Sequence, residues 1–579
     1  MPILKVSSPI RRLLGGSLAI GLVLVAPWLG GSHHLGDSSE LATVIAEPGI
    51  AHPPGYPAYT LLGHVWGRCL GLVPGVAGDR WVLFGNLFSS VWYLAALLAA
   101  AGCIGPWLRP QAALSGGEDP RWRPLLLALA GVLFLASQPS LLRAAVVTEV
   151  YAMHLGLHAG TWLLLAHEIR RQDGSAGLAS GRWVFALGLL TGLGCVHHLT
   201  YVLMLPASVL VLARGLSGGS WRRRAGRLAA GAGGFVLGLA PVLYLPLRAR
   251  QGPRMNWGQL DDDPARLWDH VTAAQFGSKL GNPLRREMLP TLTPGEVCSL
   301  VFALIVFLVA MEWWVSRWPR SAGGAGAATA RHRMVGLLLG HGVLIALFAS
   351  VYEIRDIVDY LPPLGWNLGV AGALAATSAA ARPFGRRGDR FLVPAAVTAS
   401  VALAALASAE TARALRVERR ITANLVAMWR ALPDRPAVVV HRSDTIGALH
   451  YERIVARHHP ALVPFHPLSA TLGAAAMRAE LTAVRMAPIV LYDAERYPDA
   501  ARFLSDQDAV ADEILRNVVD RSPLPVYFLD PLQARTRKRA EDPAVDYVET
   551  LRAAGELPAD VELLPRALVE RRVRELREP

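Results

Sequence analysis

Blocks of roughly 15–25 mostly apolar residues recur along this chain, and that is the length a helix needs to cross a bilayer core. Such a block has few conformational choices. In lipid its backbone donors and acceptors must be satisfied internally, so it becomes helical. We place about eleven spans, near 14–31, 82–105, 124–142, 150–167, 183–197, 199–213, 228–247, 297–316, 334–352, 361–381 and 391–409. The spans near 183–197 and 199–213 are short and read as a tilted or re-entrant hairpin. Composition agrees: 53% of residues are hydrophobic and 18% charged, against the balance of a soluble chain. The expected fold class is a multi-span α-helical membrane protein over residues 1–410. A soluble α/β domain over residues 411–579 is expected to follow.

The formal charge is +13, which by itself would suit a nucleic-acid partner. The arginines, however, fall in short clusters between apolar runs, such as Arg11 and Arg12, Arg170 and Arg171, Arg222 to Arg224, and Arg386 and Arg387. The positive-inside rule produces this pattern, so no nucleic acid is implied. It sets an N-terminus in the cytoplasm and residues 411–579 outside, in a multi-pass cell (inner) membrane. The N-terminus has no A-x-A cleavage site and reads as an uncleaved first span. Residues 59–73 read as an amphipathic interfacial helix, because counting them as a span would put the later arginine clusters outside. The four cysteines are scattered without a CxxC, giving neither a zinc site nor a disulfide framework.

This orientation gathers the polar, turn-rich motifs on the outer side: residues 36–59, 143–154, 195–201, 248–296 and 352–363. Asp37 and Glu40 are one helical turn apart, so both face one way if the segment is helical. The run His52-Pro53-Pro54-Gly55-Tyr56-Pro57 is then stiff and non-helical. A plainer reading makes Asp37 the N-cap of a helix from Ser38. Were the task sugar transfer from a lipid-linked phosphate, it would need a carboxylate to take the acceptor proton and cations to meet the departing phosphate. Asp37, Glu40 and Glu149 are candidate bases. Arg248, Arg250 and Arg355 are candidate phosphate partners, or interface anchors. Tyr56, Tyr151, Trp257 and Tyr360 are candidate sugar platforms.

Several groups carry two readings. Glu149 serves a site or a helix N-terminus. His154 and His158, four apart, are a metal pair or polar packing. His197 and His198 contact substrate or pack at the interface. His167 and Glu168 read as a solvated helix end. Asp356 and Asp359 beside Arg355 serve a site or form a surface ion-pair cluster. In the tail, residues 437–441, 461–465, 488–492 and 525–529 read as strands, with helices at 411–432 and up to 456. No Gly-rich phosphate loop is present there, and the tail is assigned no chemistry.

Taken in order, the motifs resemble a family. Gly36-Asp37-Ser38-Ser39-Glu40 followed by His52-Pro53-Pro54-Gly55-Tyr56-Pro57 is similar to the "DSGE…HPPGYP" signature of the domain of unknown function 2723 (transmembrane protein 260-like) family. Ser39 replaces its usual glycine. Residues 149–154, 197–200, 244–248, 256–258, 270–276 and 356–362 match further family motifs, so the resemblance covers about residues 30–365. It implies a GT-C glycosyltransferase of the protein O-mannosyltransferase type, with Asp37 in the first outer loop as the catalytic acid residue and Glu40 next to it. The implied site also takes Glu149 as catalytic, with substrate contacts from His52, Tyr56, Tyr151, His197, His198, Arg248, Asn256, Trp257, Arg355, Asp356 and Tyr360. The implied partners are the lipid bilayer, a polyprenyl-phosphate-linked sugar (mannose being one candidate) as donor, and an extracytoplasmic protein or glycan as acceptor. No metal site is assigned, and a divalent-metal requirement stays open. The competing readings are a transporter or lipid flippase, which requires polar mid-span residues and paired broken helices, and a non-catalytic membrane scaffold.

Overall fold

The computed structural model describes residues 8–74, 80–108, 122–174, 179–217, 220–257, 260, 264–274, 294–316, 327–352, 357–380, 389–430, 432, 434, 436–440, 446–465 and 526–528. The chain divides into two compact units. One comprises Met1–Leu29, Leu87–Pro241 and Lys279–Arg413; the other comprises Gly30–Asn86, Val242–Ser278 and Ala414–Pro579.

The first unit is helical. Its elements include α1 (Ser8–Val25), most of α4 (Trp81–Ile104), α5 (Trp122–Ala136), α6 (Pro139–Val146), α7 (Val150–Gly174), α8 (Gly181–His197), α9 (Leu205–Gly215) and α10 (Trp221–Leu239). The later helices are α13 (Pro294–Ser316), α14 (Ala327–Val351), α15 (Pro362–Ala380) and the start of α16 (Asp389–Arg430). Each of the expected spans falls on helix. Among the described residues, 6 helices are long and apolar enough to cross a membrane, or up to 7 if a bent pair counts as one span. That pair is α5 and α6, bent by 69°. Pro139 begins α6 behind an extended Gln138, since the residue before a proline is pushed out of helical geometry. The other expected spans are helices of a different make. α8 has only 17 residues, and α7 carries His154, His158, His167 and Glu168.

Glu168 differs from its solvated reading. It is 1% exposed and takes two guanidinium bonds from Arg171, at 2.7 and 2.5 Å. α8 and α10 approach so closely that glycines make the contact. A Cβ on Gly188 or Gly192 would overlap the carbonyl oxygen of Gly231 or Phe235, and one on Gly234 or Gly238 that of Phe185 or Leu189. Small residues allow such backbone approach in membranes.

The second unit holds α2 (Ser38–Ala46), α3 (Pro57–Gly71), α11 (Tyr244–Ala249), α12 (Pro264–Val271), α17 (Ile446–Ile454) and three strands. Residues 59–73, expected to be helical, fall largely on α3. Residues 48–52 are laced to 244–257: Ile50 bridges Asn256 in parallel, and the Tyr244 hydroxyl donates to the Gly49 carbonyl at 2.9 Å. Ile50, Leu245, Ala249 and Leu260 close a small core there. In the tail, β1 (Ala437–Val440) lies between β2 (Leu462–Phe465) and β3 (Val526–Phe528), all parallel. α17 makes the crossover from β1 to β2, as parallel pairing requires. Leu425, Met428, Trp429, Val439 and Leu449 are packed beneath it. The strand expected at 488–492 lies outside the described residues.

Candidate active site

In the second unit Asp37 occupies the N-cap position of α2, but its side chain makes no capping bond. Its carboxylate faces His52 instead, Oδ2 standing 3.4 Å from Nε2. The capping reading is therefore replaced by a side-chain partnership. One turn on, Glu40 is buried. Its Oε1 accepts from the His52 amide at 2.7 Å and lies 3.1 Å from His52 Nδ1. The two carboxylates do face one way, and they hold one imidazole between them. A doubly protonated ring would donate Nδ1–H to Glu40 and Nε2–H to Asp37. Gly447 of α17 closes over Glu40, where an added Cβ would stand 2.8 Å from the Glu40 amide nitrogen. The tail thus covers the helix that carries the carboxylates.

The His52 loop is rigid for readable reasons. Gly55 donates its amide to the His52 carbonyl at 2.7 Å. Its φ is +88°, which a glycine adopts without steric cost. Tyr56 follows in the left-handed region as the N-cap of α3, and Pro57 starts that helix. The His52 ring meets Tyr56 edge-on at 5.2 Å and Trp257 at 6.4 Å. Around this loop, Asn256 Oδ1, Trp257 Nε1 and His270 Nε2 are buried without a partner. Buried polar atoms are rarely left so, and a ligand is one account of them. His270 was not singled out for a role in the sequence. Its Nε2 would stand 2.9 Å from a Cβ on Gly55. Arg248, a candidate phosphate partner, donates to the Pro48 carbonyl and, at 2.7 Å, to Gln251 Oε1; in this structure it braces the loop.

Asp37, Glu40 and His52 are also the group that could hold a metal ion among the described residues, their ligand atoms lying within 4.8 Å of one another. Both His52 nitrogens already face carboxylates, and Glu40 Oε1 already takes an amide bond. The arrangement as it stands suits a clamped imidazole better than a ligand set, which would want a fourth donor.

In the first unit Glu149 is buried at the start of α7, where its amide and carbonyl both engage Ser89 Oγ, at 3.3 and 3.4 Å. Tyr151 lies 5.5 Å from Tyr360 and 5.8 Å from His198, ring to ring. His198 bonds Thr200 at 2.7 Å, and Thr200 bonds His154 at 3.3 Å. His197 Nε2 lies 3.0 Å from the Val150 carbonyl. His158 pairs with Asn367 at 3.0 Å, and Asn367 with His341 at 2.8 Å. Polar packing, rather than a metal pair, is the geometry of His154 and His158. Glu149, Tyr151, His197, His198 and Tyr360 thus gather in one unit. Asp37, Glu40, His52, Tyr56, Arg248, Asn256 and Trp257 gather in the other. Arg355 and Asp356 lie outside the described residues.

His33 was missed in the sequence. Its Nδ1 lies 2.9 Å from Ser39 Oγ, and its ring meets Tyr451 edge-on at 4.7 Å. Burial pushes His33 and His270 from the usual 6.5 down to about 4; Glu452 opposes this for His33, while neighbouring His52 adds to it for His270. Both are neutral when folded and gain a proton below 6.5 only on unfolding. Their contribution to stability is complete above about pH 6.5 and is lost as pH falls toward 4, each accounting for about 2 kcal/mol at pH 5. Melting in detergent is expected to drop between pH 7.5 and pH 5. In His270→Asn the slope should shrink by one proton's share; an unchanged slope would refute the assignment.

Residues 37–217 match the family described as "Protein O-mannosyl-transferase TMEM260 N-terminal domain". The matched segment starts at Asp37 and includes Glu40, His52, Tyr56, Glu149, Tyr151, His197 and His198, but not Arg248, Asn256, Trp257 or Tyr360. Among solved structures, ArnT from Cupriavidus metallidurans in the apo state is similar at a TM-score of 0.51 and 13% identity, covering 80% of this chain and 88% of that one. ArnT from the same organism bound to undecaprenyl phosphate is similar at 0.46 and 16% identity, covering 79% and 88%. No curated protein matches the sequence. Over residues 37–217, therefore, this chain is similar to the protein O-mannosyl-transferase TMEM260 N-terminal domain family, and its fold is similar to that of ArnT.

Proposed function

We propose that this protein is a GT-C-type membrane glycosyltransferase. It moves a sugar, mannose foremost, from a polyprenyl-phosphate-linked donor to a hydroxyl of an extracytoplasmic protein or glycan. The observation that carries this reading is the Asp37–His52–Glu40 arrangement inside the family-matched segment, ringed by the unpartnered Asn256, Trp257 and His270 atoms. Glu40 fixes the imidazole, and His52 holds one oxygen of Asp37. The Asp37 carboxylate takes the acceptor proton as the acceptor oxygen bonds to the anomeric carbon. The bond from that carbon to the phosphate oxygen breaks, and the lipid phosphate leaves with the electron pair. Tyr56 and Trp257 offer faces to the sugar. The same reading puts about eleven crossings in the membrane, the N-terminus in the cytoplasm, and Asp37 and the α/β tail outside.

Mass spectrometry of envelope proteins and glycans, with and without this protein, tests the class. A defined acceptor should lose one hexose in its absence. Unchanged masses throughout would end the proposal. Glu40→Gln is expected to keep the shape of α2 but weaken its hold on His52. We expect kcat to fall about 10- to 100-fold, the share of a charge-assisted bond to a positioned group, with KM nearly constant. A KM effect alone would instead make Glu40 a binding residue.

A further inference from the structure

Within the second unit, His33 lies between the helix that carries the carboxylates and the C-terminal tail, and it plays no part in the chemistry above. Its side chain is 11% exposed. Nδ1 lies 2.9 Å from Oγ of Ser39, which is on the first turn of α2 and precedes Glu40 in the chain. The other ring nitrogen faces the tail, with Nε2 4.0 Å from Glu452 Oε1. The His33 and Tyr451 rings also meet edge-on at 4.7 Å. Tyr451 and Glu452 are both on α17. Glu452 is itself fixed: its side chain is 3% exposed, Arg430 donates to it at 2.8 and 3.1 Å, and His458 Nδ1 lies at 2.7 Å. The backbone of His33 is pinned as well, because Thr422 Oγ1 of α16 donates to its carbonyl at 2.8 Å. α17 meets the same turn of α2 directly. A Cβ on Gly447 would stand 2.8 Å from the Glu40 amide nitrogen and 3.4 Å from the Ser39 Cβ.

We infer that His33 is a positioning residue: through Ser39 it holds the first turn of α2 against Glu452 and Tyr451 of α17, so that the tail sets where Glu40 meets His52. The effect on rate, though not the link itself, rests on the transferase reading. Burial keeps the His33 ring neutral near pH 7, so it carries one proton. A carboxylate only accepts hydrogen bonds, and the proton therefore belongs on Nε2, toward Glu452. Nδ1 is then the acceptor, and the Ser39 hydroxyl donates to it. Successive helical side chains leave the axis about 100° apart. Ser39 thus turns to His33 while Glu40 turns to His52, where its Oε1 takes the amide at 2.7 Å and lies 3.1 Å from Nδ1. Those distances need the α2 turn at a fixed place. Gly447 stops the turn from moving toward the tail, and the Ser39–His33 bond stops it from moving away. A tail with no chemistry of its own is in this way part of the site.

The test uses the full-length protein in nanodiscs, read by transfer kinetics and by amide hydrogen exchange of α2. His33→Phe keeps the bulk of a ring and removes both polar links. Ser39→Ala removes one hydroxyl from a helix that alanine favours, and it carries the test if His33→Phe fails to fold. Each should lower kcat about tenfold, the share of one hydrogen bond, with KM for the lipid-linked sugar nearly constant. The decisive comparison is made in a Glu40→Gln background. There either change should lower kcat less than about twofold, because the contact being positioned is already weakened and coupled sites do not add. A merely structural role would instead multiply the two losses. Exchange in α2 should quicken about tenfold in His33→Phe and Ser39→Ala, and that readout needs no activity. If wild-type protein transfers no sugar, the transferase reading fails and exchange alone decides whether the tail holds α2. In an active enzyme, unchanged kcat in both variants, or losses that multiply with Glu40→Gln, overturn the inference. Unchanged exchange in α2 overturns it in either case.

Discussion

Asp37→Asn is expected to abolish sugar transfer while leaving a folded, normally expressed protein. Loss of the general base should lower kcat by about 10²- to 10⁴-fold. The case for so large an effect with so small a structural cost comes from where Asp37 sits. Its side chain is 50% exposed and makes no capping bond to α2, so an isosteric amide removes no buried contact of that kind. An asparagine carbonyl can still accept from His52 Nε2, which keeps the imidazole in place. What the amide cannot do is take a proton from the acceptor hydroxyl. Membranes supplied with lipid-linked sugar give the readout, with melting of the purified variant as the folding control. Full transfer by Asp37→Asn would remove this carboxylate from the mechanism. Cysteine labelling at position 37 checks sidedness separately, and a cytoplasmic result would contradict the proposed topology.

The local chemistry of this site was legible in the sequence because its parts are close in the chain. Asp37 and Glu40 are three residues apart, and any helix there turns them the same way. Prolines and Gly55 fix the loop that returns His52. The parts that were not legible come from far away in sequence. His270 reaches Gly55 across more than two hundred positions, and its neighbours in the chain give no hint of its depth. Gly447 closing over Glu40 is of the same kind: a glycine in an unremarked tail helix has no local signature of a close contact. The capping role for Asp37 failed for a physical reason. A carboxylate beside an imidazole has a stronger partner than a backbone amide, and local propensity yields to it. Arg248 shows the converse. An arginine beside a membrane segment invites a phosphate, yet here its guanidinium is spent on the Pro48 carbonyl and Gln251. Periodicity found the helices well. It could not decide which of them cross, because α7 buries His154 and His158 among other helices, and average hydropathy then understates how dry that helix is.

Gly234→Ala is expected to prevent accumulation of folded protein, whereas Gly233→Ala, its immediate neighbour, should be tolerated. Both glycines lie in α10. A methyl at 233 meets nothing within 4 Å, while one at 234 would overlap the Phe185 carbonyl oxygen and approach the Leu189 amide at 3.0 Å. Those are backbone atoms of α8, so no rotamer change relieves the clash; the helices themselves must separate. Doing so also opens the contacts at Gly188, Gly192 and Gly238, where added Cβ atoms would likewise meet backbone. Helix association in a bilayer draws on packing of this kind and has little hydrophobic drive to replace it. Overpacking typically costs about 1–3 kcal/mol, more where the obstacle cannot move. At Gly233 the only change is backbone entropy, which favours alanine in a helix by about 1 kcal/mol. The pair is thus a matched experiment: the same atom is added one position apart, with opposite signs. Membrane yield and melting temperature of the two variants decide it. Equal behaviour of Gly233→Ala and Gly234→Ala would mean that α8 and α10 do not meet through these glycines, and the packing described for this helix pair would be wrong.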